Sequence, residues 1–173
     1  FSIFDTNNNK YNGIDVDSPV VNCFQNSVSL IPTTTKKGVE QLKNSKTIQE
    51  LINCLYDNID YCIVKGFPSN EDLLKIDANV RRASGVFVDE HVSIDNPKRL
   101  FLIDSKVDVR VNSYNVCRAY VIGNSELNIN SSGRAISMID ALGDSKVKAI
   151  VNEPSQVSVY LYGNAQSDGA SKT

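Results

Sequence analysis

The sequence predicts an α+β protein: a helical hairpin followed by a short β-solenoid built from 20-residue coils of two strands each. Three observations carry that prediction. Gly123-Asn124-Ser125, Gly143-Asp144-Ser145 and Gly163-Asn164-Ala165 recur at a spacing of twenty, with Asp104-Ser105 one period earlier. Between those turns, small or apolar residues alternate with other residues at a period of two, the periodicity of a strand. Upstream of the repeat, two capped segments keep the stripe of amphipathic helices.

Residues 1–45 read as an extended or irregular N-terminal arm. Asn and Ser abound there, Pro19 and Pro32 interrupt it, the stretch from Thr33 to Gly38 has loop composition, and only Val20-Val21 and Val28 to Ile31 suit short strands. Residues 46–85 read as the helical hairpin. Its first helix, over 47–65, starts at a capping box of Thr47 and Glu50 and stops at Gly66 and Pro68. Ile48, Leu51, Ile52, Leu55, Ile59, Cys62 and Ile63 form its stripe. Its second helix, over 70–84, is capped by Ser69 with Asp72, carries Leu73, Ile76, Val80 and Ala83 on one side, and ends at Gly85. Both stripes need a partner surface.

Residues 86–173 read as the solenoid. Residues 86–105 form a degenerate first coil, in which Phe87 and Leu100-Phe101-Leu102-Ile103 suit strands and Asn96-Pro97 marks a turn. Residues 106–165 form three regular coils, and 166–173 a terminal cap or tail, because Ser167, Gly169 and Ser171 cannot extend an aliphatic interior. The inward positions of the first strands are Val107, Val109, Val111; Leu127, Ile129, Ser131; Val147, Ala149, Val151. Those of the second strands are Cys117, Ala119, Val121; Ser137, Ile139, Ala141; Val157, Val159, Leu161. None is aromatic, as a narrow interior stacked at about 4.8 Å per coil demands. An antiparallel meander or sandwich satisfies the same alternation.

Composition narrows the function classes. A net charge of -2 and 22% charged residues leave no basic footprint for nucleic acid. No apolar run reaches the length of a membrane span. Cys23, Cys54, Cys62 and Cys117 form no C-x-x-C and read as buried thiols, and His91 has no second histidine, so neither a zinc site nor a general base with its oriented partner is expected. Asp5-Thr6-Asn7-Asn8-Asn9 begins like a calcium loop, but Lys10 and Val16 stand where glycine and glutamate are needed. No cofactor is expected. The chain opens on Phe1, so upstream processing or truncation is expected.

The outward positions differ between the two strands of each coil. First-strand positions such as Lys106, Asp108, Arg110, Glu126, Asn128 and Asn130 make a solvated face. The second strands carry Val116, Tyr120, Ile122, Ile136, Met138, Asp140, Leu142, Tyr160 and Tyr162, a contiguous apolar and aromatic patch larger than a monomer normally exposes. This is the candidate interaction face, expected to be covered by the helical hairpin or by another subunit. Tyr120, Asp140 and Tyr160 share one phase, and such a ladder suits a sugar as well as a packed interface.

Through the Gly-Asn-Ser, Gly-Asp-Ser and Gly-Asn-Ala turns and the paired alternating strands over 86–165, the chain resembles β-solenoid domains of bacterial surface proteins and bacteriophage virion appendages. That resemblance implies a non-catalytic structural or binding module of a protein assembly, a homo-oligomer or a larger complex, in a virion or the bacterial cytoplasm rather than in a disulfide-forming space. A small intracellular regulator that binds a host protein, and a carbohydrate-binding domain, are the alternatives.

Overall fold

A computed structural model describes residues 36–66 and 68–172 of the chain. The chain divides into two compact units, Phe1–Ser84 and Gly85–Thr173.

Among its described residues the first unit holds five short helices: α1 (Lys36–Asn44), α2 (Ile48–Asp57), α3 (Ile59–Lys65), α4 (Asn70–Leu74) and α5 (Ala78–Ala83). Helix α1 corrects the expectation of an arm over 1–45 at its C-terminal end, where Leu42 is buried on a segment of good helix formers. The rest of that arm, the Asp5 to Asn9 loop and Cys23 lie outside the described residues. The Thr47 capping box forms in both directions: Glu50 donates its backbone N–H to Thr47 Oγ1 at 3.0 Å, and Thr47 donates its own to Glu50 Oε2 at 3.2 Å. The helix expected over 47–65 breaks once, at Asn58. Its side-chain amide donates to the Cys54 carbonyl at 2.8 Å and to Gln41 Oε1 at 3.3 Å, and its backbone leaves the helical region at φ -122°, ψ 30°. The second helix breaks as well. Ser69 and Asp72 start α4, and the Asp77 carboxylate accepts from Asn79 and Val80 to start α5. Ile48, Leu51, Ile52, Leu55, Ile59 and Leu73 are buried on these helices and Ile76 between the last two, close to the predicted stripes.

The second unit is a β-solenoid. Strands β1 (Val86–Val88), β3 (Arg99–Ile103), β5 (Val116–Ile122), β7 (Ile136–Ala141) and β9 (Gln156–Leu161) form one sheet, called sheet A. Strands β2 (His91–Asp95), β4 (Lys106–Val111), β6 (Glu126–Ser131), β8 (Lys146–Asn152) and β10 (Gln166–Lys172) form the other, sheet B. Every pairing is parallel, which decides for stacked coils over a meander. Lys106 pairs with Glu126 and Glu126 with Lys146, one sequence period per coil. The first coil is shorter: His91 pairs with Lys106 and Arg99 with Arg118, so the turns lengthen before the period settles.

The inward sets are as expected. Val107, Val109, Val111, Cys117, Ala119, Val121, Leu127, Ile129, Ile139, Ala141, Val147 and Ala149 are buried in one cluster. Ser131 and Ser137 sit among them with hydroxyls that have no partner among the described residues. At one corner Ser105, Ser125 and Ser145 stack inside, and Ser125 Oγ donates to the Ile122 carbonyl at 2.6 Å while accepting from the Ser105 N–H at 3.1 Å. At the other corner Ser113 and Gly133 both take positive φ, +60° and +68°, and a Cβ on Gly133 would stand 2.8 Å from the Ser113 nitrogen. Only glycine fits both the dihedral and the space.

Two expectations for the last coil change. Residues 166–172 do not leave the stack but add strand β10 to β8, with Ser167, Gly169 and Ser171 opposite Val147, Ala149 and Val151. Backbone ladder bonds carry that strand, in which Gln166, Ser167, Asp168 and Gly169 are exposed. The interior nevertheless thins there: Val157 and Val159 are half-buried and Leu161 is exposed.

Candidate interaction face

The face proposed from sequence is the outer side of sheet A, and the register assembles it as columns across the coils. Val116 pairs with Ile136, Arg118 with Met138, and Tyr120 with Asp140, which in turn pairs with Tyr160. Parallel pairing at constant period stacks identical phases, so residues twenty apart in sequence become neighbours.

The face has an inner and an outer part. At its centre Tyr120, Ile122, Met138 and Leu142 are half-buried by one another, and Asp140 is 8% exposed. Arg118 explains that burial: its Nη2 meets Asp140 Oδ2 at 2.5 Å, its Nε donates to the Tyr120 hydroxyl at 3.3 Å, and its guanidinium lies 5.3 Å from the Tyr120 ring centroid. Burial opposes the Arg118 charge, but the Tyr120 hydrogen bond and the fields of Tyr120, Asp140 and Tyr160 outweigh it and raise the guanidinium pKa above its ordinary value. The Tyr120-Asp140-Tyr160 ladder therefore exists, with its carboxylate turned onto Arg118.

Around that centre the face is open. Val116 is 51% exposed, Ile136 43%, Tyr160 50% and Tyr162 51%. About half of each side chain stands in water in the single chain. Two residues absent from the sequence-derived set belong beside it. Tyr114 is 75% exposed in the turn before β5, and Arg134 in the equivalent turn of the next coil holds its guanidinium 5.8 Å from the Tyr114 ring centroid. The period itself contained the signal, since Tyr114, Arg134 and Pro154 share one phase.

The outer side of sheet B is built from the same rungs and behaves differently. Lys106 and Lys148 approach Glu126 at 3.4 and 3.2 Å, Asn128 donates to Asp108 at 2.8 Å, Asn152 donates to Asn130 at 3.0 Å, and Arg110 forks onto Asp95 at 2.7 and 2.8 Å. The hydrogen bond from Lys148, with help from Asn128 and Lys106, holds the Glu126 carboxyl below its usual pKa. A shallow trough runs over this face, lined by Asp95, Asp108, Arg110, Asn128, Asn130 and Lys148 among others.

His91 lies 3.8 Å from Asp108, at the exposed start of β2. Cys54, Cys62 and Cys117 are buried free thiols, and burial pushes them up to about 11, 12 and 12. Such thiols carry almost no thiolate at neutral pH. Among the described residues no group of three or more His, Cys, Asp or Glu is arranged to hold a metal ion, and no helix is long and apolar enough to cross a membrane. The chain matches no protein-family model, no curated protein and no solved structure.

Proposed function

We propose that the protein is a non-catalytic structural or binding module of a protein assembly, that the outer side of sheet A is its contact face, and that its first partner is a second copy of the same chain. One observation carries this reading: Val116, Ile136, Tyr160 and Tyr162 stand half exposed on one side of a rigid parallel stack. Covering such side chains releases roughly 25 cal/mol per Å² of apolar surface, and tyrosine is over-represented where interfaces gain most. The resemblance of the coil to solenoids of virion appendages and bacterial surface proteins supports placing the assembly on a structure of that kind.

Light scattering on size-fractionated protein tests the reading. The wild type is expected to show a mass that is a multiple of the 19.0 kDa chain and falls on dilution. Tyr160→Glu with Tyr162→Glu is expected to give the single-chain mass with an unchanged melting temperature, because both positions are exposed. A wild type that stays at the single-chain mass at every concentration would sink the self-association.

A further inference from the structure

At the corner where the first-strand turns lead into sheet A, four large exposed side chains come together. Tyr114 and Arg134 occupy the turn apices of successive coils, and Val116 and Ile136 are the first outward residues of the strands that follow. Arg134 lies against the Tyr114 ring, the arrangement of a cation–π pair. Ion pairs of this unit engage His91, Lys106, Arg110, Arg118 and Lys148 among others, whereas Arg134 makes none among the described residues. Glu153, in the next turn, makes no ion pair with it. An uncompensated guanidinium, pre-ordered by an aromatic ring and bordered by two half-exposed aliphatic side chains, combines the residue types that dominate binding hot spots.

We infer that this corner docks a protein segment that presents an Asp or Glu carboxylate next to an aliphatic side chain. The carboxylate takes the Arg134 fork while the guanidinium keeps its place over Tyr114, and the aliphatic group covers Val116 and Ile136. Arginine beside tyrosine also suits a single-stranded nucleic acid, but the aliphatic neighbours Val116 and Ile136 offer nothing to a phosphate backbone and favour the acidic peptide with its apolar side chain. The inference rests on sheet A's outer side being a contact surface, and not on self-association. The corner lies one and two coils from Tyr160 and Tyr162, toward the opposite end of the strands.

The experiment is a titration of the isotope-labelled protein, observed through its amide resonances, with the capped pentapeptide Glu-Leu-Glu-Leu-Glu, its Lys-Leu-Lys-Leu-Lys counterpart and a 12-residue oligothymidylate. Saturable shifts at 114–116 and 134–136 with the acidic peptide alone are expected. Arg134→Glu is expected to weaken that binding at least about tenfold, the loss of one charge-assisted contact. Its melting temperature should not move. Ile136→Ser, a second exposed change, is expected to weaken it too. Three results overturn the inference: no saturable shift with the acidic peptide, equal binding of the basic peptide, or binding of the oligothymidylate in its place. Because the readout is local, it fails or succeeds whatever the solution mass proves to be.

Discussion

The two outer faces of the solenoid share backbone, register and period, and differ in what their side chains leave unsatisfied. On sheet B most charged or amide groups find a partner one coil away, so Glu126 serves two lysines and Arg110 is engaged by Asp95, with Ile150 an exposed apolar exception. On sheet A the same spacing brings aliphatic and aromatic groups together, and lateral contact covers only the centre, around Asp140. Polar groups saturate in pairs and then prefer water, whereas apolar surface remains costly until something covers it. A face that completes itself is a wall, and a face that does not is a place for a partner.

The largest expected effect separates the side of a strand from the strand itself. Ile129 and Asn130 are neighbours on β6, one inward and one outward. Ile129→Asp buries an unpaired carboxylate and is expected to cost about 3–5 kcal/mol, enough to unfold a marginal domain. Asn130→Asp keeps the acceptor that Asn152 uses and should change stability by less than about 0.5 kcal/mol. Chemical denaturation of the pair is the measurement. Equal losses would mean that sheet B's tolerance of polar change does not come from facing water.

A middle-sized effect compares one ion pair on each face. Arg118–Asp140 is mostly covered, with the Asp140 side chain 12% exposed, whereas both partners of Arg110–Asp95 are more than half exposed, at 73% and 58%. Asp140→Ala leaves a partly desolvated guanidinium without its acceptor and is expected to cost about 2 kcal/mol. Asp95→Ala should leave the melting curve unchanged, because water replaces an exposed partner and salt screens it. Comparable losses would erase the difference between the faces.

The smallest effect is one of pH. Glu126 titrates below the usual glutamate value because Lys148 holds it, so its contribution is fully present above that usual value and is lost as pH falls through its lower folded-state value. Carbon-detected titration of the carboxyl should show the depressed midpoint, and Lys148→Met should move it upward. A midpoint indifferent to Lys148 would show that the ladder on sheet B is geometric only.

How much of this was legible in the sequence follows from which forces are local. The turns at Gly123, Gly143 and Gly163 fix the phase, and the phase sorts inward from outward residues because side chains alternate on a strand. Parallel pairing is not local and could not be separated from a meander by alternation. Helix α1 was missed because the loop composition of Thr33 to Gly38 hides a short segment whose burial, at Leu42, depends on the folded unit. Asn58 broke a helix whose apolar period runs straight through the break, since its amide turns back onto the Cys54 carbonyl four residues earlier and onto Gln41, which only the folded unit brings near. Strand β10 was missed because an aliphatic test was applied to a strand held by backbone bonds. On the candidate face, membership was readable from phase. Exposure was not, since Asp140 is covered by Arg118 from the adjacent column and Tyr160, in its own column, is open.

The constant offset between β4, β6 and β8 makes residues 126–145 an interchangeable cassette. A second copy of that cassette spliced in tandem would meet, at both of its junctions, the same kind of turn and the same ladder register, although Glu126 of one copy would then face Glu126 of the other where Lys146 stands now. The molecule is thus a ruler with a fixed graduation, which lengthens in steps of one coil, about 4.8 Å. Lineages of such a chain can change its reach by copying or deleting whole graduations without redesigning its interior, and each added step would carry a further rung of both faces with it.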